Sequence, residues 1–219
     1  MEPKTDNSIC PLCSENKIDF YFKDRIREYF LCTNCGLVFV PPLFHLNMEE
    51  EKSRYDLHQN NPEDEGYRKF LSRFADPLCD RLKSGQTGLD FGCGPGPVLS
   101  ILLKRKGYPM SLYDPFYYND PSILENTFDF ITATEVAEHF SSPGMEFKHL
   151  FGMIKRGGLL GLMTMMVSSK DAFGSWYYIQ DQTHICFYSI RTFEYLAGIY
   201  NTNLEIIGKD VIFMERKHF

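Results

Sequence analysis

A glycine-rich turn between two predicted elements constrains this chain more than any other segment. The apolar run at 89–91 is typical of a buried strand and leads into the turn at 92–96, where every second residue is glycine. The apolar positions at 98–106 then predict a helix, and a second apolar run at 110–113 predicts another strand. Strand, tight turn, helix and strand form a β-α-β unit, which joins parallel strands by a right-handed crossover. The sequence therefore predicts the α/β fold class.

The same alternation continues to the C-terminus. Apolar segments further along predict strands at 128–133 and 159–167, helices at 145–154 and 190–200, and two terminal strands at 204–207 and 211–215. Before the turn, apolar residues spaced three and four apart predict a helix that begins at Tyr67 and ends before Gly85. We expect a mostly parallel sheet with an antiparallel ribbon at its C-terminal edge.

The glycine turn is suited to close contact with a ligand, because a glycine has no Cβ to keep the ligand from the main chain. A phosphate-binding P-loop requires a Lys and a Ser or Thr after the glycines, where this chain has Pro97 and Val98. A dinucleotide-binding loop has two residues between its second and third glycines, where this chain has Pro95 alone. The first interpretation is excluded and the second is weak.

The Asp-x-Gly-x-Gly-x-Gly sequence of residues 90–96, with Asp114 ending the next predicted strand, resembles the cofactor-binding sequence of class I S-adenosylmethionine-dependent methyltransferases. The resemblance extends from about residue 65 to the C-terminus. It implies that the glycine loop packs beneath the methionyl and ribose groups of the cofactor and that Asp90 supports the loop. It also implies that Asp114 accepts hydrogen bonds from the ribose hydroxyls, as a carboxylate does well.

Two further segments carry the same resemblance. The run at 128–139, which ends in Glu-Val-Ala-Glu-His, is similar to the fourth strand and turn of methyltransferases that act on small metabolites. The run at 155–160 resembles the turn before their fifth strand. Between Asp114 and Phe128 lie only thirteen residues, too few for the usual second helix and third strand. We therefore expect a Rossmann-like sheet that is shortened around strand three, and no adenine-binding residue is predicted.

The resemblance implies a set of residues that contact the cofactor, all at the ends of predicted strands. They are Asp90, Phe91, Gly92, Cys93, Gly94, Gly96, Asp114, Thr134 and Glu135. Tyr55 and His58 precede the predicted helix at 67 and are added to this set, because the corresponding segment of related enzymes covers the cofactor. A solvated loop is an equally good interpretation of these two residues.

Two Cys-x-x-Cys pairs near the N-terminus predict a structural zinc site. Eighteen residues separate the pairs, a spacing typical of four thiolates on one tetrahedral ion; the ligands are Cys10, Cys13, Cys32 and Cys35. The alternatives are reduced structural cysteines or a redox pair, but a redox pair needs a thioredoxin-like context that is absent here. The surrounding aromatic and β-branched runs predict a small β module of the zinc-ribbon kind, which could serve substrate recognition or domain support.

The aromatic segment at 176–188 is predicted to form the wall of the substrate pocket. Methyl transfer from a sulfonium needs alignment and, for a weak nucleophile, a base that removes a proton. Asp181 and His184 are the predicted catalytic residues, on the hypothesis that the carboxylate orients the imidazole and raises its basicity. The competing interpretation makes His184 a structural histidine or the cap of the following helix.

Composition limits the class of substrate. The chain of 219 residues has 23 Lys and Arg against 29 Asp and Glu, a formal net charge of −6. This balance disfavours general binding to polynucleotides, which depends on neutralised phosphates. No apolar stretch approaches the roughly 20 residues of a membrane span, and the pairing of cysteines suits a reducing compartment. A cytoplasmic protein without a membrane partner is expected.

These observations predict three parts: a zinc-ribbon module at 1–46, a linker that covers the cofactor at 47–66 and a methyltransferase domain at 67–219. The expected function is in-line methyl transfer from S-adenosylmethionine to O, N or C of a small or medium metabolite. One alternative is an RNA or protein methyltransferase that docks its substrate on the ribbon. Another is a non-catalytic module that binds the cofactor. No oligomeric state is predicted.

Overall fold

The computed structural model describes residues 9–57 and 61–217. The strands are β1 (Ile18–Lys23), β2 (Glu28–Cys32), β3 (Val38–Phe39), β4 (Gly88–Phe91), β5 (Met110–Tyr113), β6 (Phe128–Thr134), β7 (Ile154–Met163), β8 (Cys186–Phe187), β9 (Thr202–Ile207) and β10 (Val211–Arg216). The helices are α1 (Met48–Tyr55), α2 (Glu65–Cys79), α3 (Val98–Arg105), α4 (Pro143–Met153), α5 (Lys170–Phe173) and α6 (Ile190–Tyr200).

The larger sheet has six strands in the order β5-β4-β6-β7-β10-β9. Strands β5, β4, β6 and β7 are parallel, whereas β10 is antiparallel to both β7 and β9. The predicted α/β class, the mostly parallel sheet and the antiparallel C-terminal ribbon are confirmed. β5 is an edge strand, and the described segment between β5 and β6 forms only a short 3-10 helix at Pro121–Glu125. The predicted shortening around strand three is therefore present.

Alternate residues of this sheet pack into two separate apolar clusters. Along β10, Val211 and Phe213 join the cluster that contains buried residues of α2 and α3, whereas Ile212 and Met214 join the cluster of α4 and α6. This alternation follows from the period of two along a strand. Helices therefore cover both faces, and the carboxyl ends of β4, β5 and β6 meet at one edge.

Capping side chains set where two of the flanking helices begin. Asp64 accepts a hydrogen bond from the Tyr67 amide at 3.1 Å at the start of α2. Ser189 and Thr192 form a capping box at the start of α6, and this helix ends at Asn201 in the left-handed conformation. Such caps satisfy the first amides of a helix that have no partner within it.

The smaller sheet has four strands in the order β1-β2-β3-β8. Its fourth strand, β8, lies far along the chain and pairs with β3 through Val38 opposite Phe187. The N-terminal segment shares a core with the rest of the protein, because Cys10 and Leu37 belong to the same apolar cluster as Ile131 of β6. The predicted division of the chain at residues 46 and 66 stays a prediction, and β8 pairs across it.

Two segments have a secondary structure different from the one expected. The segment at 47–66 contains a helix, α1, which begins with a capping box between Asn47 and Glu50. Strand β7 begins at Ile154 and ends at Met163, whereas a strand at 159–167 was expected; the earlier start occurs because Phe128 already pairs with Ile154. Among the helices of the described residues, none has the length and apolar character that a membrane span requires.

Candidate functional site

A cavity of about 730 Å³ opens at the carboxyl ends of β4, β5 and β6. The glycine loop after β4 lines it, as do Tyr177, Tyr178 and residues 181–185. Every described residue predicted to contact a cofactor lines it, namely Tyr55, Asp90, Phe91, Gly92, Cys93, Gly94, Gly96, Asp114, Thr134 and Glu135. The structure thus brings together residues from four separate segments of the chain.

The backbone of the glycine loop adopts conformations that favour glycine. Gly92 and Gly94 have φ angles of 71° and 63°. A Cβ built on Gly92 would lie 2.6 Å from both Cγ atoms of Val136, so no larger residue fits without displacing β6 and its turn. Gly92 therefore lets the loop approach the turn after β6 and leaves the cavity side of the main chain open.

Asp114 holds the glycine loop through a hydrogen bond to its backbone. Its Oδ2 accepts from the Gly94 amide at 2.9 Å, and its Oδ1 accepts from the amides of Phe116 and Tyr117 at 2.8 and 3.1 Å. The side chain is buried yet lines the cavity. An ionised carboxylate has about four acceptor positions, so one remains for a ligand hydroxyl.

Asp90 is buried between α3 and β6. Ser100 Oγ donates to its Oδ2 at 2.9 Å, and Thr132 Oγ1 donates to its Oδ1 at 3.0 Å. Burial raises the pKa of Asp90 to about 6, although both hydroxyls favour the ionised form. The carboxyl group thus links β4, which carries Asp90, to α3 through Ser100 and to β6 through Thr132.

Glu135 directly follows β6 in a left-handed conformation with φ of 55°, and its side chain lines the cavity. Burial raises the pKa of Glu135, and the nearby Glu138 carboxylate raises it further. Thr134, the last residue of β6, lines the cavity beside it. A neutral carboxylic acid at this position can donate a hydrogen bond.

Tyr55 lies at the end of α1 and covers the cavity. Its ring centroid lies 5.3 Å from that of His139 and 5.7 Å from that of Phe116, and its hydroxyl donates to Glu51 Oε1 at 2.6 Å. Glu51 also lines the cavity and was not predicted. Its only sequence signal is the spacing of four residues from Tyr55 on one helix face. His58, the other residue predicted here, lies outside the described residues.

Asp181 and His184 both line the cavity, but they are not paired by a hydrogen bond. His184 Nε2 lies 3.9 Å from Asp181 Oδ2, beyond hydrogen-bond distance. The ring is held through Nδ1, which lies 2.8 Å from the Tyr178 carbonyl oxygen. Burial lowers the pKa of His184. The Asp181 carboxylate raises this pKa, as expected, and so does Glu138, but loss of hydration outweighs the attraction of the two carboxylates.

His184 is not a helix cap either, since Ser189 caps α6. The carboxylate of Asp181 caps a turn of its own, accepting from the Thr183 amide at 2.9 Å and from the Thr183 hydroxyl at 2.7 Å.

A buried network behind the cavity wall was not predicted from the sequence. Glu138 is fully buried, and its Oε1 accepts a hydrogen bond from the Tyr178 hydroxyl, which also contacts Thr164 Oγ1 at 3.2 Å. Glu138 Oε2 has no hydrogen-bond partner among the described residues. The Glu-His pair in the run at 135–139 was a signal for this site, but Tyr178, which donates to Glu138, lies 40 positions further along the chain.

The four predicted zinc ligands lie together, with Cys32 at the end of β2. Cys10 Sγ lies 3.6 Å from Cys35 Sγ, and Cys13 Sγ lies 3.5 Å from Cys32 Sγ. One tetrahedral zinc ion with bonds of about 2.3 Å to sulfur requires Sγ separations of roughly 3.8 Å. None of these cysteines is in a disulfide. The donor set and its spacing thus fit a zinc ion.

Comparison with known proteins identifies the family. Residues 58–207 match the family model described as a methyltransferase domain. No curated protein sequence matches the chain. Solved structures with a similar fold include magnesium protoporphyrin IX methyltransferase from Synechocystis PCC 6803 with bound SAH, at 15% identity and a TM-score of 0.55, over 77% of this chain and 94% of that one.

Two further structures share the fold. A protein from Pyrococcus horikoshii OT3 has 15% identity and a TM-score of 0.53, over 75% of this chain and 99% of that chain. An O-methyltransferase family protein from Burkholderia thailandensis has 15% identity and a TM-score of 0.50, and the match spans 76% of this chain but 63% of that one. The chain belongs to the methyltransferase domain family and has the fold of a class I S-adenosylmethionine-dependent methyltransferase.

Proposed function

We propose that this protein transfers a methyl group from S-adenosylmethionine to a small or medium metabolite. The observation that carries the proposal is the glycine loop, which is held by Asp114 at the mouth of one cavity at the carboxyl ends of the parallel strands. Ligands of open α/β sheets bind at this edge. The cofactor supplies an electrophilic methyl group on a sulfonium.

The residues around the cavity suit this cofactor. The backbone of residues 92–96 would lie close to the nucleoside of a bound cofactor, the remaining acceptor position of Asp114 would take a ribose hydroxyl, and Tyr55 would cover the cofactor from α1. Asp90 supports the loop indirectly, because its hydrogen bonds connect β4 to α3 and β6. Thr134 and Glu135 border the methionyl end. These roles follow the resemblance and the position of each residue in the cavity wall.

Asp181 and His184 are proposed to act on the substrate. The lowered pKa of His184 keeps its imidazole neutral near pH 7, which is the form that accepts a proton. Asp181 lies near enough to stabilise a positive imidazole once the proton has been transferred.

Cavity size and charge favour a small substrate. About 730 Å³ must hold both cofactor and substrate, and pockets for drug-sized ligands span roughly 300–1,000 Å³. The chain is acidic overall, with a net charge of −6, which does not suit an RNA backbone. We retain the expectation of a cytoplasmic enzyme, and an RNA or protein substrate docked on the N-terminal module is the alternative.

We also propose that Cys10, Cys13, Cys32 and Cys35 bind a structural zinc ion. The near-tetrahedral separations of the sulfur atoms support this assignment. Such an ion stabilises a small module that lacks a large core of its own.

Calorimetry with S-adenosylmethionine tests cofactor binding. We expect wild type to bind and Asp114→Ala to bind at least tenfold more weakly, because the ribose loses its acceptor and the loop loses its tether. Asp19→Ala, at an exposed position of β1, is the matched control and should bind like wild type. Absence of binding by wild type would overturn the proposal.

Label transfer then tests catalysis and substrate class. Purified protein and S-adenosylmethionine with a labelled methyl group are incubated with a lysate that lacks this protein, which is then separated into RNA, protein and small molecules. Label in the small-molecule pool is expected. Label in RNA or protein would show that the substrate is a macromolecule and not a small metabolite. Cofactor binding without label in any pool would favour the non-catalytic alternative.

A further inference from the structure

Glu138, His139 and His184 bring three metal-ligating side chains together beside the cavity. One possible ligand atom from each residue lies within 4.8 Å of the others. Both histidines line the cavity, and their ring centroids lie 4.9 Å apart. Two imidazole nitrogens and one carboxylate oxygen are a donor set that divalent first-row metals bind while keeping coordination positions open.

The hydrogen bonds of the two histidines orient them as metal ligands. His139 Nδ1 lies 3.1 Å from the Thr183 carbonyl oxygen, and His184 Nδ1 lies 2.8 Å from the Tyr178 carbonyl oxygen. A carbonyl oxygen only accepts, so Nδ1 carries the proton in each ring and Nε2 carries the lone pair. A metal-bound histidine is oriented in the same way, by donation from its other nitrogen to a carbonyl or carboxylate.

The burial of Glu138 points to a bound cation independently of the two histidines. It is fully buried, the Tyr178 hydroxyl donates to its Oε1, and its Oε2 has no hydrogen-bond partner among the described residues. A buried carboxylate oxygen without a partner costs free energy, because it has lost its hydration. A cation held by the Glu138 carboxylate and the two imidazoles would compensate for that loss.

We propose that Glu138, His139 and His184 bind a divalent first-row transition metal, distinct from the ion of the four cysteines, whose open positions face the cavity. The ligand atoms close in by on the order of 1 Å to reach the separations of roughly 3–3.5 Å that bonds near 2.1 Å require. Oxygen-bearing substrates are the class that such an ion selects. This selection rests on the proposed methyltransferase function, whereas metal binding does not. With Nδ1 protonated and Nε2 bound to the metal, His184 has no lone pair left to accept a proton, so the ion replaces the proposed role of His184 as a base and the ring then acts on the substrate through the ion.

Titration with Co²⁺ tests the site without cofactor or substrate. The full chain is first saturated with zinc, which occupies the cysteines, and Co²⁺ is added while heat and absorption are recorded. We expect one further equivalent to bind without the near-ultraviolet charge-transfer band of a cobalt–thiolate bond. Glu138→Gln and His139→Ala should each weaken this binding at least tenfold, since even indirect partners of a metal ligand contribute 10–100-fold.

His149→Ala is the matched control, because His149 is exposed on α4. It should bind Co²⁺ like wild type. Glu138→Gln keeps the size of the side chain and an acceptor for Tyr178, and His139 is only half-buried, so at least one variant should keep the wild-type unfolding temperature. The proposal is overturned by a wild type that takes up no further Co²⁺, or by folded variants that bind it as tightly as wild type does.

The test separates this site from the proposed function. Loss of S-adenosylmethionine binding in wild type with Co²⁺ binding intact would overturn the methyltransferase proposal alone. Cofactor binding without the second metal would overturn only the metal site.

Discussion

Gly92 illustrates how a single residue decides whether the loop closes on the sheet. Its positive φ and the contact of a built Cβ with Val136 at 2.6 Å both exclude larger residues. Asp90, two residues earlier, is ionisable and buried, and the hydroxyls of Ser100 and Thr132 donate to it in place of water. Substitution of either residue should therefore change the stability of the protein measurably.

We expect Gly92→Ala to destabilise the protein more than Gly85→Ala does. Gly85 has a similar φ of 82° but no atom within 4 Å of a built Cβ, so it controls for backbone strain, which costs about 1–2 kcal/mol. The additional clash at Gly92 should lower the unfolding temperature further and weaken cofactor binding. Equal unfolding temperatures for the two variants would contradict the close approach of loop and turn.

We expect Asp90→Asn to change how stability depends on pH. Because the pKa of Asp90 is raised to about 6 in the folded state, its contribution is favourable below about pH 4 and is lost as the pH rises through 6, a change of about 3 kcal/mol. Asparagine does not titrate, so the free energy of unfolding of the variant, relative to that of wild type, should rise between pH 4 and 7.

Urea unfolding across this range measures the effect on the free energy of unfolding. Asp80→Asn, at an exposed position after α2, is the control and should differ from wild type by a constant amount. A constant difference for Asp90→Asn as well would show that Asp90 is not buried as described.

At the scale of elements, one buried guanidinium joins the smaller sheet to the cavity wall. Arg27 is 2% exposed and donates to four backbone carbonyl oxygens, those of Ile179, Asp181, Gln182 and His184, at distances of 2.6 to 3.2 Å. It also donates to the Tyr29 hydroxyl, which in turn donates to Asp24 Oδ2 at 2.6 Å. The segment that carries His184 is thus shaped by the turn between β1 and β2.

We expect Arg27→Lys to destabilise the protein by about 2 kcal/mol or more. The ammonium group of lysine is a single point and cannot reach carbonyl oxygens distributed around a planar guanidinium, so buried acceptors lose their partners. Chemical denaturation measures the loss, and Arg25→Lys at an exposed neighbouring position should be neutral. A neutral Arg27→Lys would show that the wall does not depend on this side chain.

At the scale of the whole molecule, the cysteine site is continuous with the main core. The residues around it pack in one apolar cluster with Phe147 of α4 and Phe193 of α6. Arg191 donates to the Thr33 and Asn34 carbonyl oxygens, and Ser189 Oγ donates to Gly36 O at 3.1 Å. Loss of the ion should therefore also destabilise segments after residue 46.

We expect Cys35→Ser to abolish zinc binding and to lower the unfolding temperature by roughly 10 °C, since a structural ion contributes several kcal/mol. Hydrogen exchange should accelerate in β3 and in β8 together, because the two strands pair. Cys79→Ser, outside the cluster, should keep the zinc content of wild type. Exchange that accelerates only before residue 46 would instead indicate an independent module.

The elements that local pattern determines were predicted well. The helix at 190–200, the strand at 128–133 and the terminal ribbon follow from apolar periodicity and capping residues, which act between neighbours in sequence. Helix α1 was missed because its eight residues include no buried side chain, so it has no apolar face to detect. Its capping box was the available signal.

The candidate site likewise has parts that local sequence predicts and parts that it does not. The glycine turn with Asp114 and the four cysteines could be recognised from sequence alone, because their spacing along the chain reflects the geometry of one loop and of one ion. The pairing of β3 with β8, the carbonyl cage of Arg27 and the meeting of Glu138 with Tyr178 and His184 join segments 40 to 157 residues apart. Only tertiary packing decides these contacts, because no local pattern records which distant backbone or side chain satisfies a buried polar group.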